Sequence, residues 1–369
     1  MKTAFALAVH YPEDERVWFQ ERKSLQEAGQ DTFVISTRIN DCSLPDTFCF
    51  DDLGMPKKKL IEKLSSTLVT VDPDIVICDN PIAILAAQRY KKQASRKIRI
   101  VYDVTEWYPS KKNLRGLSFL RKFIKYIALT GLSFYSAWFL DGFIFGEHDK
   151  ARPFRFLFPW KPYIYLTYYA NPDQVKVHPV RDLSKECIFF YAGHLNQEKG
   201  FENVLNVASE CASRFPETKF ILRIIAKDCY EFDRVQSRVN LEIQPFPPLP
   251  FLSFCEETGK ADLFFDLRKI DGENTRCLPI KLFYYMAAGR PVIYSDLKAI
   301  RKGIPEIDKI GILVHPEDTD AIVSRMERYI KDSAYYQSQC AYARQLAEQK
   351  YNWANIEHAF VDFIRKLSV

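Results

Sequence analysis

Apolar, β-branched runs recur along the chain with helix-length stretches between them. In the first half they are TAFALAV, DTFVIST, DIVICD, IRIVYDV and FIFG; in the second, CIFFYAG, KFILRII, LEIQPF, DLFFDL, PVIYS and GILV. They are apolar at successive rather than alternate positions, so they predict strands buried on both faces, and helices between such strands predict a parallel sheet covered on both sides. The pattern predicts an α/β chain of two Rossmann-like, doubly wound domains facing each other across a cleft. The polar, proline-containing segment NPDQVKVHPVRDLSKE (171–186) precedes CIFFYAG and marks the boundary. One domain is expected over 1–175 and a second over 176–350. YNWANIEHAFVDFIRKL has apolar residues at helical spacing and predicts a closing amphipathic helix within 351–369 that packs back on the first domain.

Composition changes this picture little. A chain of 369 residues, 47% hydrophobic and 27% charged, suits two soluble globular domains. The start, MKTAFALAVHYPEDER, meets acids without a small-residue cleavage site and reads as a first strand. Nine cysteines form no C-x-x-C pair and no Cys/His cluster at zinc spacing, which predicts reduced, mostly buried thiols in a cytoplasmic protein. A formal net charge of +5 is too small and too dispersed to predict nucleic-acid binding.

Locally, charge says more. Between Trp107 and Leu140 lie Lys111, Lys112, Arg115, Arg121, Lys122 and Lys125, and no acid. The uncharged end, Tyr126 to Leu140, falls short of the ~20 apolar residues that span a bilayer. Two readings remain: a helix lying on an anionic membrane surface, or a long core helix with a solvated face.

In open α/β sheets ligands sit at the carboxyl ends of strands. After CIFFYAG the turn HLNQEKG carries His194, Asn196 and Lys199, and a helix begins near Phe201. Strand, polar turn and helix N-terminus make an anion site, because unpaired backbone N–H groups and the helix dipole point at the ligand. In LPIKLFYYMAAGRPVIY, Pro279 suits a first helical turn and Gly289 a stop before the strand PVIYS. Lys281 and Arg276 crowd the positive end of that helix, which costs roughly 0.3–1 kcal/mol per cation unless an anion sits nearby. Asp72 and Asp74 form an Asp-x-Asp, but they lead into IVICD as an ordinary helix-to-strand turn. The G-x-G-x-x-G, P-loop and G-x-S-x-G motifs are absent.

YAGHLNQEKGFENVL together with LPIKLFYYMAAGRPVI resembles the donor-binding half of the GT-B-fold glycosyltransferases, specifically the retaining family 4. HYPEDERVWFQERKSLQEAGQDTFVI is similar to the opening strand, loop and helix of that family, and VYDVTEWYPS to its acceptor-side strand end. The resemblance covers nearly the whole chain. It implies an enzyme of hexosyltransferase type that moves a sugar from a nucleotide donor, UDP or GDP linked, with retention and without a bound metal. It implies no cofactor beyond the nucleotide sugar.

In the family an Arg and a Lys after the first strand of the second domain hold the donor phosphates. Lys199 matches the Lys, and His194 stands where the Arg usually is. A Glu-x₇-Glu pair normally contacts the donor sugar and the ribose; Arg276 and Tyr284 occupy those positions here. A tyrosine can hydrogen-bond a ribose hydroxyl, but neither residue reproduces a carboxylate. Glu273 and Asp271, just upstream, are stand-ins. On the acceptor side His10, Asp14 and Arg16 follow the first strand, and Asp103 and Glu106 follow RIVYDV. Either carboxylate can take the acceptor proton if it lies within hydrogen-bond reach, Glu106 foremost. The expected function is glycosyl transfer to a membrane-held glycan, such as a polyprenyl-linked capsule or O-antigen precursor, by a cytoplasmic enzyme in peripheral contact with the membrane. The alternative is a catalytically silent relative that binds a nucleotide or a partner as an assembly subunit.

Overall fold

The computed structural model describes residues 1–39, 43–105, 109, 111–227 and 239–368. The chain divides into two compact units, Met1–Tyr168 with Ile356–Val369, and Tyr169–Asn355. Each carries one parallel sheet, as the succession of apolar runs predicts.

In the first unit the strands are β1 (Lys2–Leu7), β2 (Asp31–Ser36), β3 (Thr47–Cys49), β4 (Ile75–Cys78), β5 (Arg99–Val104), β6 (Gly142–Phe145) and β7 (Tyr163–Tyr165), ordered β3-β2-β1-β4-β5-β6-β7. β4 and β6 are buried at every position, which is why they read as unbroken apolar runs. The two short edge strands, β3 and β7, are only partly buried and carry no such run. The helices are α1 (Lys23–Glu27), preceded directly by a π-wound turn Val17–Arg22, then α2 (Lys57–Val71), α3 (Pro81–Gln93), α4 (Lys111–Leu114), α5 (Phe119–Ala137) and α6 (His148–Leu157). Asn80 caps α3 by accepting from Ala83 N at 2.9 Å, and Pro81 opens it with a φ already suited to a helix.

The second unit holds β8 (Glu186–Ala192), β9 (Lys219–Ile225), β10 (Leu241–Phe246), β11 (Leu263–Asp266), β12 (Val292–Ser295) and β13 (Gly311–Val314), ordered β10-β9-β8-β11-β12-β13. Its helices are α7 (Phe201–Arg214), α8 (Phe251–Gly259), α9 (Lys281–Ala287), α10 (Lys298–Gly303), α11 (Thr319–Lys331) and α12 (Ser333–Gln349). Gly289, φ 64°, ends α9 in the left-handed region.

The last helix, α13 (Glu357–Ser368), belongs to the first unit. Glu357 Oε2 accepts from Ser24 Oγ at 2.9 Å, and Arg365 donates to Ala28 O at 3.1 Å. A Cβ on Gly142 would stand 2.9 Å from the Phe363 ring and 3.1 Å from Leu367 Cδ1, so the helix lies close against β6 there.

In each sheet the chain leaves its first strand in one direction and later returns on the other side. The switch lies between β1 and β4 in one unit and between β8 and β11 in the other, and the carboxyl ends of those strands are where a ligand crevice forms. One expectation is corrected here. Cys78, Cys187, Cys211, Cys255, Cys277 and Cys340 are free thiols, but Cys49 is disulfide-bonded. Disulfide pairing follows from how close the folded chain brings two thiols, which sequence spacing does not show.

Candidate functional site

The turn after β8 is built from the bottom of the strand upward. Tyr191 donates its phenol proton to His194 O at 2.7 Å, which draws the chain back over the strand end. Asn196 Oδ1 accepts from Lys199 N at 2.9 Å and caps a single 3-10 turn, Gln197–Lys199. Gly200 then takes φ 72°, and a Cβ there would lie 1.7 Å from Leu267 O. The turn is therefore pressed onto the end of β11, a contact completed by Lys269 N donating to Glu198 O at 3.0 Å. α7 starts immediately after it.

Lys281, the first residue of α9, reaches into the same place. Its ammonium donates to Ala192 O at 2.6 Å, the last residue of β8, and lies 3.8 Å from where a Cβ on Gly193 would be. The structure thus brings Lys281 to the strand end from which the turn carrying His194, Asn196 and Lys199 leaves. Lys199, whose side chain is 34% exposed, has Glu198 at 3.8 Å.

The other donor-side residues are placed differently. Asp271 Oδ1 accepts from Glu273 N and Asn274 N, both at 2.9 Å, and Asn274 Nδ2 donates to Lys269 O at 2.9 Å, so Asp271 holds the loop after β11 in shape. Glu273 and Arg276 bracket the short 3-10 turn of that loop, with Arg276 exposed. Tyr284 is only 1% exposed; its ring meets Phe251 edge-on at 5.4 Å and Phe254 at 6.2 Å, between α8 and α9. A residue that the sequence reading passed over is Arg268, which forms a partly buried bidentate pair with Asp266, both bonds 2.6 Å, at the mouth of β11. Asp266 ends an apolar run that gives no hint of the pairing.

In the first unit the residues after β1 and β4 form a second constellation. Asp79, at the end of β4, accepts from the backbone N–H groups of Ala8, Val9 and His10 at 2.9, 2.9 and 3.2 Å, and its Oδ2 lies 3.1 Å from His10 Nδ1. It fixes the loop after β1 and the ring of His10. The sequence signal was only its position, one residue past a strand adjacent to β1. Asp14 Oδ1 accepts from Arg16 N at 3.1 Å and Val17 N at 3.3 Å, capping the π-wound turn.

Arg16 is buried. Nε and Nη2 donate to Asp103 Oδ2 and Oδ1 at 2.8 and 2.9 Å, Nη1 donates to Leu166 O at 2.9 Å, and Glu21 Oε1 stands 2.9 Å from Nε. Both oxygens of Asp103 thus carry a guanidinium, in an interior position with 4% exposure. Glu21 is fully buried; that burial first, and the charge of Asp103 second, hold its carboxyl well above the usual range. Tyr168 packs on Arg16 and donates to Thr105 O at 2.9 Å, and burial pushes its phenol up to about 12. Lys150, also buried, donates to Thr105 O and to Glu147 Oε1, the latter at 3.2 Å. His10, Asp14, Arg16, Glu21, Asp79 and Asp103 line one small pocket with the apolar ends of β1 and β4. Glu106 lies outside the described residues. Among the described residues no group of three or more His, Cys, Asp or Glu could hold a metal ion.

Residues 186–332 match the family model described as "Glycosyl transferases group 1". No curated protein matches the sequence. Solved structures do. Sucrose-phosphate synthase from Thermosynechococcus elongatus is similar with a TM-score of 0.69 at 14% identity, over 100% of this chain and 99% of that one. Anabaena Alr3699/HepE in complex with UDP-glucose gives 0.70 at 13%, over 99% and 100%. A Listeria monocytogenes protein assigned as a UDP-N-acetylglucosamine 2-epimerase gives 0.63 at 12%, over 99% and 96%. The chain has the two-sheet α/β fold of the GT-B glycosyltransferases, and its second unit carries a group 1 glycosyltransferase domain.

Proposed function

We propose that this chain transfers a sugar from a uridine diphosphate sugar to a membrane-held glycan acceptor, such as a polyprenyl-linked polysaccharide precursor, with retention and without a metal. The observation that carries the reading is the bond from Lys281 to Ala192 O at the end of β8, where the chain enters the turn His194–Gly200, inside the matched glycosyltransferase domain. A diphosphate leaving group gains negative charge as the bond from its oxygen to the sugar C1 breaks. Two ammonium groups and the backbone N–H groups that open α7 are the donors that stabilise such charge without a metal. UDP is preferred over GDP because Anabaena HepE is solved with UDP-glucose.

On the acceptor side, Asp103 carries Arg16 on both oxygens, which suits a role in fixing the loop after β1. Proton acceptance from the acceptor is assigned to Glu106, with His10 and Asp14 beside the entering hydroxyl. A second reading, a silent relative that binds nucleotide or partner without turnover, draws on one observation: Tyr284 and Arg276 stand where the family has its glutamates, and Tyr284 is buried between α8 and α9.

Calorimetry with UDP and GDP tests the donor site. Lys199→Ala is expected to weaken UDP binding by about 1.5–3 kcal/mol, the contribution of a charge-assisted hydrogen bond, with unfolding unchanged. If Lys199→Ala binds UDP as the wild type does, the site is misplaced. UDP binding without sugar transfer to any glycan-lipid acceptor favours the silent relative.

A further inference from the structure

A helix on the surface of an α/β unit ordinarily turns its apolar stripe to the core. α5 does the reverse. Leu120, Ile124, Ile127, Tyr135 and Trp138 follow one another at helical spacing, and all are exposed, Leu120 at 66%, Ile124 at 58% and Trp138 at 65%. The residues turned inward are Leu129, Ser133, Ser136 and Ala137, mostly small or hydroxylated. From Ser118 to Ala128 every residue is exposed, so among the described residues nothing covers the first half of the helix, while Phe134 fastens the second half against Phe154 at 5.6 Å.

The apolar stripe continues past the end of the helix. Trp138 meets Trp160 edge-on at 6.2 Å, Trp160 is 64% exposed and Phe156 84%. Lys161 donates to Trp138 O at 3.0 Å and holds this aromatic corner in place. At 100° per residue, Lys122 falls opposite the stripe, and Arg121 and Lys125 fall on the flank between.

We infer that the exposed stripe of α5, with Trp138 and Trp160 at its end, docks the chain in the headgroup region of a bilayer containing anionic lipid. The inference deepens the reading of a membrane-held acceptor and rests on it for its purpose, while the surface itself is defined by geometry. An apolar stripe backed by a cationic face, with tryptophans at the margin, is the arrangement of a helix lying in the interface plane. No helix among the described residues is long and apolar enough to cross. Anionic headgroups are the occupant that charge complementarity favours: the segment between Trp107 and Leu140 carries Arg121, Lys122 and Lys125 and no acid.

Flotation of the full chain with phosphatidylcholine vesicles, with and without phosphatidylglycerol, tests this. The wild type is expected to float with the anionic vesicles and to float less as salt rises. Arg121→Glu, Lys122→Glu and Lys125→Glu together are expected to lower partitioning by roughly a hundredfold or more, at about 1 kcal/mol per cation near the surface. Ile124→Asp with Ile127→Asp is expected to abolish flotation at any salt. Both variants alter exposed side chains only, and circular dichroism and UDP calorimetry on the same samples report fold and donor site. Flotation lost while UDP binding is unchanged supports the surface; wild type that stays out of anionic vesicles, or variants that float like it, overturns it. Wild type that sediments as a dimer, and stripe variants as monomers, also overturns it in favour of a second copy. A protein that floats but binds no UDP leaves the docking surface standing and sinks the glycosyltransfer reading.

Discussion

In the first unit Glu21 lies between Arg16 and Asp103 with no access to water, and its raised pKa keeps it protonated where an exposed glutamate is ionised. In its protonated form it leaves one guanidinium balanced by one carboxylate, Asp103. A group whose folded pKa is raised stabilises the fold fully below its unfolded pKa, and that contribution is lost as pH rises through the folded value. Glu21→Gln keeps the shape and the neutral state, so chemical denaturation at neutral pH is expected to show stability close to or above wild type, and the loss toward alkaline pH is expected to shrink. Asp103→Asn leaves a buried guanidinium without its counter-charge and is expected to cost about 3–5 kcal/mol. Equal losses for both substitutions would mean that Glu21 is ionised.

At the scale of elements, the βα turn between β8 and α7 is fixed by Gly200. Its φ of 72° and its approach to Leu267 O leave no room for a side chain, and the obstacle is backbone that cannot rotate away. Gly200→Ala is expected to lower stability by about 2–4 kcal/mol, the combined effect of left-handed strain and displacement of the β11 loop, and to weaken UDP binding along with it. Denaturant titration and calorimetry on the one variant read both. Gly29, also in the left-handed region but with nothing near its missing Cβ, is the control: Gly29→Ala carries only the backbone cost, about 1 kcal/mol, and leaves UDP binding alone. Neither helix α9 nor the turn would hold Lys281 at Ala192 without this packing of strand ends.

For the molecule as a whole, the chain leaves the first unit at Tyr168 and returns to it at Ile356, so the first unit is completed only when the last helix is made. Phe360, Ile364 and Leu367 of α13 are buried there. Ending the chain after Asn355 removes them and uncovers Gly142 and its neighbours on β6. That truncation is expected to lower the unfolding temperature of the first unit, because each large apolar residue contributes about 1.5–3 kcal/mol when buried. UDP binding, assigned to the second unit, is expected to persist. Calorimetric scans with and without UDP distinguish the two transitions, since a ligand at 100 times its Kd raises the stability of the unit that binds it by about 2.7 kcal/mol. A single transition stabilised equally by UDP in both chains would contradict independent units.

Strands with both faces buried announce themselves as unbroken apolar runs, and β1, β4, β6, β8 and β12 were legible for that reason. β3 and β7 were not, since short edge strands owe their conformation to the neighbour they pair with rather than to their own composition. Among the candidate site residues, the places of Lys199 and Lys281 at a strand end and a helix start were legible because each is a local feature. What Lys281 touches was not: Ala192 is 89 positions away, and only the packing of α9 beside β8 makes them neighbours. The same holds for Asp79 over the loop after β1, for Asp266 with Arg268, and for Tyr284, whose place on α9 was evident but whose burial against Phe251 and Phe254 was decided by α8. In α5 the sequence determined an amphipathic helix with a cationic face, and the tertiary structure alone decided which face meets the core. Sequence periodicity fixes the angle between side chains around a helix axis; it does not fix the rotation of that axis against the rest of the protein.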